Sequence, residues 1–416
     1  MYKALDKRRI LCYYETPNTQ HFIEDCCVCN IKTDTVYTLE FLEIFGMAKE
    51  YVQKINICPK CGFIYTKNPF QEEILANRYK NLSKFEFDEN FTFIEEDISY
   101  KKRCYRQYNF IKNVVGNIES IFEVGCASGF NLSIYHNNGI NVFGIEPSKN
   151  NVISCQRKYG IELFEGMFDE YKRSSVSNKQ YELIFLSHVL EHIINPFKFV
   201  SELSEINSRF MFIEVPSLDY KFYDEPFGMF AEEHVNYFTF DNLRQLMKSL
   251  KYHIIDANIY FCSDADIPAG YPCISTLWEK TNIQKNYSLT SAMPSVMSSK
   301  ELLMNYINKS LEREKQINEI INRINNKERI AVWGTGHHTS RLLGMTNLKT
   351  KNIVKFYDSD IRKSNMEYFG RRIQPFDISD IKKNNIEKVF ISTYVAQKAI
   401  EKILIKNDMN NYIKLY

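Results

Sequence analysis

The sequence predicts an α/β protein in three parts: a doubly wound, Rossmann-like central domain, a small cysteine-rich domain before it, and a second Rossmann-like domain after it. Two Cys-x-x-Cys pairs lie within the first 61 residues. Strongly apolar segments then alternate with helical ones, a pattern typical of parallel strands that are buried on both faces and covered by helices. A strand, a glycine turn and a helix follow one another twice in the remaining chain, as in doubly wound sheets.

The length and composition indicate a folded protein of several domains. The chain has 416 residues, 44% of them hydrophobic, which is enough for several buried cores. Its 53 basic and 51 acidic residues nearly balance, so we expect neither a nucleic acid nor an anionic membrane as a partner. The N-terminal stretch lacks an apolar core of signal-peptide length, and no run approaches the ~18 apolar residues that span a bilayer. With 11 cysteines, an odd number typical of reduced thiols, the chain is predicted to be cytoplasmic.

The N-terminal cysteines have the spacing of a metal site. Cys26 and Cys29 form one Cys-x-x-Cys pair, and Cys58 and Cys61 form the other. Each pair lets two thiolates converge on one tetrahedral ion, so we expect a structural zinc site with four cysteine ligands. Reactive or merely buried thiols are the alternative. The pattern predicts a zinc-binding domain over residues 1–75.

The middle of the chain is predicted to form a mostly parallel sheet. After polar helical sequence up to about residue 120, strands are predicted at 120–125, 141–146, 161–165, 181–187, 209–215, 252–261 and 272–278. A polar stretch then leads to a long helix and a second α/β unit, with strands in RIAVW, IVKFY and KVFIS. The remaining domains are therefore predicted at 76–285 and 286–416.

The first glycine loop, EVGCASG, follows a predicted strand and contains Glu123, Gly125 and Gly129. Glycines here let a ligand approach the backbone beside a helix N-terminus, at the carboxyl ends of the strands. The next strand ends in Glu146, whose carboxylate can accept hydrogen bonds from both hydroxyls of a ribose. A tight turn without a ligand is the alternative. Further candidate cofactor contacts are Ala127, Pro147 and Ser187.

The segment HVLEH after the fourth strand contains His188 and His192, four residues apart. On a helix this spacing suits a metal ion, but the sequence offers no evident third ligand, and the spacing alone is nonspecific. We therefore expect one histidine to face a pocket while the other packs against the protein or caps a helix.

The segment AEEHVNYF follows the fifth strand, where loops of such a fold reach a substrate. It contains Glu233, His234, Asn236 and Tyr237 just before a predicted helix. Histidine is the side chain best suited to take a proton near neutral pH, and an adjacent carboxylate tunes its basicity. His234 is therefore a candidate general base. A surface loop in which Thr239 caps the helix is the alternative.

Together these segments resemble the sugar C-methyltransferases over nearly the whole chain. EVGCASG and GIEPS resemble the cofactor motifs of class I S-adenosylmethionine (SAM)-dependent methyltransferases, and EHVNYF resembles the active-site motif of the sugar enzymes. The resemblance implies a zinc domain, a methyltransferase domain and a C-terminal Rossmann-like domain. It also implies that Glu233 and His234 serve as the base and that His192, or else His188, contacts the active site. The implied substrate is a nucleotide-linked keto-deoxysugar, bound between the central and C-terminal domains, of the kind used for antibiotics and surface polysaccharides.

The resemblance also implies a reaction. A carbon next to a ketone becomes nucleophilic only after it loses a proton, which His234 would remove. The enolate would then attack the methyl group of SAM, while a neighbouring hydroxyl or histidine stabilises the enolate oxygen, and no metal is required. Methyl transfer to oxygen or nitrogen of a sugar or related metabolite is the alternative reaction. A non-catalytic zinc and Rossmann scaffold is the alternative of another class.

Some positions depart from the pattern of the sugar enzymes. Ala231 and Glu232 stand where members commonly have a tyrosine and a histidine. After the C-terminal glycines the chain has His337 and His338, where members usually have a lysine. These differences weaken the assignment of the substrate more than that of the reaction.

The C-terminal glycine loop contains Gly334 and Gly336, and Asp358 follows the next strand. This arrangement predicts either a nucleotide site, with His338 beside it, or a simple tight turn. Arg371 and Arg372 are candidates to meet a diphosphate, although a solvated basic face is the commoner explanation for such a pair. A monomer and a dimer are both compatible with the sequence.

Overall fold

The computed structural model describes residues 20–44, 47–81, 98–175, 179–206, 208–220, 225–262, 271–280, 297–394 and 396–416. The strands are β1 (Thr35–Ile44), β2 (Ala48–Ile57), β3 (Ile64–Thr66), β4 (Ser120–Val124), β5 (Asn141–Glu146), β6 (Phe164–Glu165), β7 (Leu183–Ser187), β8 (Phe210–Pro216), β9 (Asn236–Tyr237), β10 (Tyr252–Cys262), β11 (Tyr271–Lys280), β12 (Ile330–Trp333), β13 (Ile353–Tyr357), β14 (Glu367–Tyr368), β15 (Arg371–Gln374), β16 (Lys388–Ile391) and β17 (Tyr412–Lys414).

The α-helices are α1 (Glu72–Asn81), α2 (Ile98–Val115), α3 (Phe130–Asn137), α4 (Lys149–Tyr159), α5 (Phe168–Lys172), α6 (Pro196–Leu203), α7 (Phe240–Ser249), α8 (Ser299–Asn322), α9 (His337–Met345), α10 (Ile378–Lys383) and α11 (Gln397–Lys406). Short 3-10 helices lie at Leu190–His192, Asn347–Thr350 and Ile361–Lys363. None of the helices in the described ranges is long and apolar enough to cross a membrane.

The central sheet has seven strands in the order β10-β11-β8-β7-β4-β5-β6. The five strands from β8 to β6 are parallel, whereas β10 and β11 add an antiparallel edge. Alternate residues of β7 enter different cores: Leu183 and Phe185 join one cluster, and Ile184 and Leu186 join another. Both faces of the sheet are therefore covered, which explains why its strands read as continuous apolar runs. The predicted α/β fold class is confirmed.

The N-terminal region contains a four-stranded antiparallel sheet in the order β1-β2-β3-β9, which the sequence analysis did not predict. Its first three strands belong to the cysteine-rich part of the chain. The fourth, β9, lies in the segment EHVNYF, where Tyr237 pairs with Ile64. The N-terminal region is thus joined to the central part by a shared sheet as well as by the chain.

The C-terminal sheet has six strands in the order β14-β15-β13-β12-β16-β17, and only β14 is antiparallel to its neighbour among the described pairings. It begins after α8, which starts with Ser298 as its N-cap. The Ser298 hydroxyl accepts a hydrogen bond from the Glu301 N–H, and the Glu301 side chain accepts one from the Ser298 N–H. The long helix and the second α/β unit therefore lie where the sequence predicts them.

The N-terminal and C-terminal parts pack closely together. The backbone at Gly344 in α9 lies so near β1 that an added Cβ atom would come within 2.1 Å of the Glu40 carbonyl oxygen. The Ser340 hydroxyl, also in α9, donates a hydrogen bond to the Glu43 carbonyl at 2.9 Å. Residues of β1 to β3, the segment around Phe230 and α8 share one hydrophobic core. This packing brings all three parts of the chain around one cavity.

Candidate active site

A cavity of about 600 Å³ lies at the carboxyl ends of β4, β5 and β7. The central sheet and its loops contribute Gly125, Ala127, Glu146, His188, His192 and Glu233 to the lining. Helix α1 contributes Arg78 and Tyr79, and the segment after β13 contributes Asp360 and Lys363. Ligands of doubly wound sheets bind at this edge, so the cavity is the candidate active site.

The first glycine loop forms one wall of this cavity. Gly125 has a φ angle of 76°, in the left-handed region that glycine adopts without a steric penalty. Ala127 follows with a φ angle of 48° and donates its backbone N–H to the Glu146 carboxylate at 2.8 Å. The loop is thereby attached to the end of β5. Pro147, which follows Glu146, also lines the cavity.

The carboxylate of Glu146 is held by neutral donors. Besides the Ala127 N–H, it accepts the Ser148 N–H at 3.0 Å and the Asn151 side-chain amide at 3.1 Å. Burial raises the pKa of Glu146, although these hydrogen bonds lower it. Two carboxylate oxygens have about four acceptor sites, so capacity remains for donors of a ligand in the cavity.

Several buried polar atoms around the loop have no hydrogen-bond partner among the described residues: Glu123 Oε2, Ser128 Oγ and the side-chain amide of Asn131. Burial raises the pKa of Glu123 to about 8. Buried polar atoms are normally satisfied, and the Asn131 side chain lies close enough to Glu123 to lower the pKa of this acid by a hydrogen bond. None of the three residues lines the cavity, so Glu146 is the acid next to this loop that a cofactor with hydroxyl donors fits.

Gly129, unlike Gly125, packs closely against a neighbouring helix. It has a φ angle of 79°, and an added Cβ atom would lie 2.1 Å from the Cys155 sulfur. The glycine lies at the start of α3, packed against α4. Close packing of helix and loop, rather than approach of a ligand, accounts for glycine at this position.

His188 lies at the end of β7 with a φ angle of 55°, a conformation that is uncommon for residues other than glycine. Its Nδ1 atom lies 3.2 Å from Glu191 Oε1, and its Nε2 atom lies 3.6 Å from Glu214 Oε1. Glu214 is fully buried and is also paired with Arg106 at 2.9 Å. His188 is therefore placed between two buried carboxylates at the edge of the cavity.

His192 and His234 are in contact, with ring centroids 5.0 Å apart and the rings nearly perpendicular. His192 Nδ1 lies 3.2 Å from the Glu233 carbonyl oxygen, and His234 Nδ1 lies 3.2 Å from the Met229 carbonyl oxygen. A carbonyl oxygen only accepts, so Nδ1 carries the hydrogen in both rings and Nε2 keeps its lone pair. Burial, with the neighbouring His192, lowers the pKa of His234 to about 4, so its ring is neutral at pH 7.

Two side chains of α1 complete this side of the cavity. The Arg78 guanidinium pairs with the Glu233 carboxylate at 2.9 Å and approaches Glu232 at 3.8 Å. The Tyr79 ring packs edge-on against His192 at 5.5 Å between centroids. Its buried hydroxyl makes no hydrogen bond to a described residue. Tyr79 and His192 thus line the same cavity, and the neutral ring of His234 contacts His192 from outside the lining, an arrangement suited to proton removal and oxyanion stabilisation.

Comparison with known proteins agrees with this geometry. Residues 75–256 match the family model described as a methyltransferase domain. The chain therefore contains a methyltransferase domain. The matched range of this enzyme includes the glycine loop, Glu146 and the histidine cluster. Residues 326–413 match a second model, described as "C2185-like, N-terminal".

Several solved methyltransferases resemble the chain at low identity. A SAM-dependent methyltransferase from Archaeoglobus fulgidus is 17% identical, with 44% of this chain and 93% of that chain covered and a TM-score of 0.35. The magnesium protoporphyrin IX methyltransferase of Synechocystis PCC 6803, with bound S-adenosylhomocysteine (SAH), is 12% identical, with 51% and 100% covered and a TM-score of 0.38. The 1,6-didemethyltoxoflavin-N1-methyltransferase of Burkholderia thailandensis is 10% identical, with 44% and 80% covered and a TM-score of 0.35. No curated protein matches the chain.

Three other predicted site residues of the methyltransferase have buried partners within the protein. The Tyr237 hydroxyl donates to the His234 carbonyl at 2.8 Å, and the Asn236 amide donates to the carbonyls of Leu190 and Ile193. Ser187 accepts a hydrogen bond from Gln107 at 2.9 Å. The bonds of Asn236 link the segment EHVNYF to the segment HVLEH. The side chains of Asn236 and Tyr237 therefore stabilise the positions of His192 and His234.

The C-terminal glycine loop lies outside the cavity lining that the described residues form. Asp358 accepts the Thr335 N–H at 3.0 Å and pairs with Lys363 at 2.9 Å. Gly334 and Gly336 flank Thr335, and Gly334 has a φ angle of 113°. This part of the enzyme reaches the cavity instead through Asp360 and Lys363, which the sequence analysis did not identify.

His337 and His338 belong to a buried charge cluster. The His338 ring lies 3.2 Å from Glu225 through Nδ1, and its Nε2 atom lies 2.6 Å from the Tyr416 hydroxyl. His337 lies 3.5 Å from the same carboxylate. Because Glu225 follows the central sheet and both histidines begin α9, the cluster joins the central and C-terminal parts. Arg371 and Arg372 are exposed, and Arg371 donates to the Ile353 carbonyl at 2.8 Å.

The four N-terminal cysteines converge. One sulfur atom from each of Cys26, Cys29, Cys58 and Cys61 lies within 4.8 Å of all the others, and Cys26 and Cys61 sulfurs are 3.6 Å apart. A tetrahedral zinc ion with Zn–S bonds of about 2.3 Å would separate its sulfurs by about 3.8 Å. The residues therefore fit such an ion, as the spacing predicts.

The cavity-lining residues that the sequence analysis did not identify come from segments without a recognisable motif. Arg78, Tyr79, Asp360 and Lys363 lie outside the motifs and come from segments far from the glycine loop in sequence. The Tyr-Lys and Asp-Ser-Asp stretches around them carry no distinctive spacing. The opposite charges of Arg78 and Glu233 are visible in the sequence, but only the fold shows that these two side chains form an ion pair.

Proposed function

We propose that the enzyme methylates the carbon atom next to the ketone of a nucleotide-linked keto-deoxysugar, with Glu233 and His234 acting as the base. The observation that carries this proposal is the His234 ring, whose Nδ1–H is donated to the Met229 carbonyl. Its Nε2 lone pair is thereby left as an acceptor. His234 is not itself a lining residue, but its ring contacts His192, which lines the cavity together with the glycine loop and Glu146. A base and a cofactor loop at one cavity are what carbon methylation requires.

The cofactor is proposed to lie along the loop that begins at Gly125. Glu146, which lines the cavity, would accept hydrogen bonds from its ribose. Ala127 and Pro147 would pack beside it, as lining residues of the cavity. Bound SAM supplies an electrophilic methyl group on a cationic sulfur.

The proton is proposed to pass from the substrate carbon to His234, directly or through Glu233. Arg78 pairs with the Glu233 carboxylate and holds it at the cavity lining. Tyr79 would donate its hydroxyl hydrogen to the oxygen that gains negative charge, with His192 behind its ring. His188 then serves to hold the loop between β7 and the histidine cluster.

The nucleotide part of the substrate is proposed to reach the C-terminal domain. Lys363 lines the cavity, and its ammonium group, which is already paired with Asp358, would also meet a diphosphate there. The chain divides, in this proposal, into a zinc domain over 1–75, a methyltransferase domain over 76–285 and a C-terminal domain over 286–416. Zinc on the four cysteines would stabilise the first of these without entering the reaction.

The first test needs no methyl transfer. The purified enzyme with SAH is placed in D₂O with a nucleotide-linked 4-keto-6-deoxysugar, and exchange of the proton next to the ketone is followed by NMR. The proposal expects exchange that depends on enzyme and falls by at least about 100-fold in His234→Gln, the range of a lost general base. His136→Gln is the matched control, because His136 is an exposed histidine on α3.

Calorimetric titration with SAH accompanies each variant, so that a loss of folding is distinguished from a loss of the base. Reaction with ¹³C-methyl SAM then identifies the atom that is methylated. A new methyl group bonded to carbon supports the proposal. A methyl group on oxygen without prior exchange would favour the alternative reaction, transfer to a hydroxyl.

A further inference from the structure

We propose that Glu191, His192 and His234 form a second metal site, distinct from the cysteine cluster, and that a divalent ion bound there inhibits methyl transfer. The three side chains each place one ligand atom within 4.8 Å of the other two. Two imidazoles and one carboxylate are a ligand set that binds zinc, cobalt, nickel and iron in proteins. The inhibitory part of this inference rests on the proposed function of His234.

The directions of the hydrogen bonds favour a cation bound among Glu191, His192 and His234 over packing of these side chains without an ion. His192 and His234 both donate Nδ1–H to backbone carbonyls, at 3.2 Å in each case. Each Nε2 lone pair is therefore left as an acceptor, and His192 Nε2 lies 3.9 Å from Glu191 Oε1. Donation of the far ring nitrogen to a carbonyl is the usual arrangement of metal-binding histidines.

The carboxylate of Glu191 supplies the second, independent observation. Glu191 is 1% exposed, and its closest described ion-pair partner is the His188 ring. A buried carboxylate facing two imidazole lone pairs brings three acceptors together, which is unfavourable unless a positive species lies among them. The same oxygen, Glu191 Oε1, lies 3.2 Å from His188 Nδ1 and 3.9 Å from His192 Nε2.

The ion has a route to the site, because His192 lines the cavity. The sequence alone could not show the site: the two histidines four residues apart, His188 and His192, are not the ligand pair. In the fold the two histidine ligands are His192 and His234, and His234 lies in the loop before β9. An ion on the His234 lone pair would prevent this histidine from accepting a proton.

The test uses the full-length enzyme with its cysteine-bound metal retained. Cobalt(II) chloride is titrated into the protein, without substrate, and the visible spectrum is recorded. The expected result is a weak absorption band that saturates at about one ion per chain and lacks the intense near-ultraviolet band of cobalt bound to thiolate. A spectrum with that thiolate band alone would place cobalt in the cysteine cluster and overturn the site.

Matched variants locate the ion. Glu191→Gln, which keeps the side-chain size, and His192→Ala are each expected to weaken cobalt binding by about 100-fold, at the upper end of what a lost supporting group costs. His136→Ala, on the exposed face of α3, is expected to bind cobalt unchanged. SAH titration of each variant shows that it is folded. Equal cobalt affinity in folded Glu191→Gln, His192→Ala and wild type contradicts the site.

The proton-exchange assay with the keto-sugar nucleotide tests the consequence. Cobalt at a concentration that saturates the site is expected to suppress exchange, and a chelator is expected to restore it. If cobalt binds but exchange is unchanged or faster, the inhibitory role is wrong and so is the assignment of His234 as the base. If cobalt does not bind while exchange proceeds, the metal site is wrong and the proposed function stands.

Discussion

The two glycine loops of this enzyme both lie between a strand and a helix, but their acids have opposite electrostatic surroundings. In each, a loop N–H donates to the acid at the end of the next strand: Ala127 to Glu146 at 2.8 Å, and Thr335 to Asp358 at 3.0 Å. Glu146 is otherwise held by neutral donors and lines a cavity, whereas Asp358 pairs with Lys363. Burial therefore raises the pKa of Glu146. For Asp358 burial is outweighed by Lys363 and by hydrogen bonds, and its pKa is lowered.

This difference shows that an acid after the second strand is insufficient for a ligand site. What matters is whether its acceptor capacity is left for a ligand or is already used by the protein. Polar atoms without partners surround the first loop, among them Glu123 Oε2 and Ser128 Oγ. In the second loop, Lys363 and the Thr335 hydroxyl occupy Asp358. The acid beside the first loop therefore keeps hydrogen-bond capacity for a ligand, whereas the acid beside the second loop already uses its capacity within the protein.

The largest expected effect separates the two acids by ligand binding. Glu146→Ala is expected to reduce SAH affinity by more than about 100-fold, because each of two hydrogen bonds to a charged acceptor contributes about 1.5–3 kcal/mol. Asp358→Ala is expected to leave SAH affinity within about threefold of wild type, since its carboxylate is saturated internally. Isothermal titration calorimetry measures both. Similar losses in the two variants would mean that the loops do not differ in this way.

The second effect concerns the glycines. Gly129→Ala is expected to destabilise the fold by about 2–4 kcal/mol, because it combines a left-handed residue with an overpacked contact. The added methyl group would lie 2.1 Å from the Cys155 sulfur. Gly336→Ala is expected to cost less than about 1 kcal/mol, since φ there is −89° and a methyl group meets no atom within 4 Å.

Chemical denaturation followed by circular dichroism compares these two variants. The double variant Gly129→Ala with Cys155→Ala removes the contact with the sulfur but keeps a 3.0 Å contact with the Cβ atom of residue 155 and the strained φ angle, so it is expected to recover part of the loss. A Gly129→Ala protein as stable as Gly336→Ala would show that the first loop relaxes freely.

The third effect is the pH dependence of stability, which has opposite signs for the acids of the two loops. The pKa of Glu123 is raised to about 8 by burial, from 4.5. The folded state then binds more protons than the unfolded state between these values. Stability from this group is complete below pH 4.5 and declines as pH rises toward 8, by up to about 1.4 kcal/mol per pH unit. Glu123→Gln should therefore flatten the melting temperature between pH 5 and 8.

Asp358 provides the contrast, because its pKa is lowered below 3.8. Stability from this group is present above pH 3.8 and is lost as pH falls through its folded pKa. Asp358→Asn should therefore change the melting temperature at neutral pH but leave the slope between pH 5 and 8 as in wild type. A flattened slope in Asp358→Asn, or an unchanged slope in Glu123→Gln, would contradict the assigned signs.

The smallest expected effect is the loss of one hydrogen bond in the second loop, which tests whether this loop is stabilised by contacts within the protein and not by a ligand. Thr335→Val removes one hydroxyl that donates to Asp358 and keeps the size of the side chain. We expect a loss of about 1 kcal/mol in the free energy of unfolding and no change in SAH affinity. Ser128→Ala in the first loop is the matched variant. Its hydroxyl has no described partner, so its removal should leave stability almost unchanged.

Much of the fold was predictable from local sequence. The strand predicted at 120–125 is Ser120–Val124, and that predicted at 141–146 is Asn141–Glu146. The long helix after the polar stretch is Ser299–Asn322. The N-terminal sheet was missed because its fourth strand, Asn236–Tyr237, comes from a distant segment and is only two residues long. Local periodicity does not report pairing between segments so far apart.

The candidate site was predictable in part. The sequence determined by itself that Glu123 and Glu146 lie near the ends of strands, that Gly125 follows the first of these strands, and that the four cysteines form two Cys-x-x-Cys pairs, because apolar runs and the spacing of special residues are local properties. Tertiary structure alone decided that Arg78 meets Glu233, that Lys363 occupies Asp358 and that Glu191 faces His192 and His234. These contacts set charge and hydrogen-bond capacity, which depend on distances between segments that only the packed chain brings together.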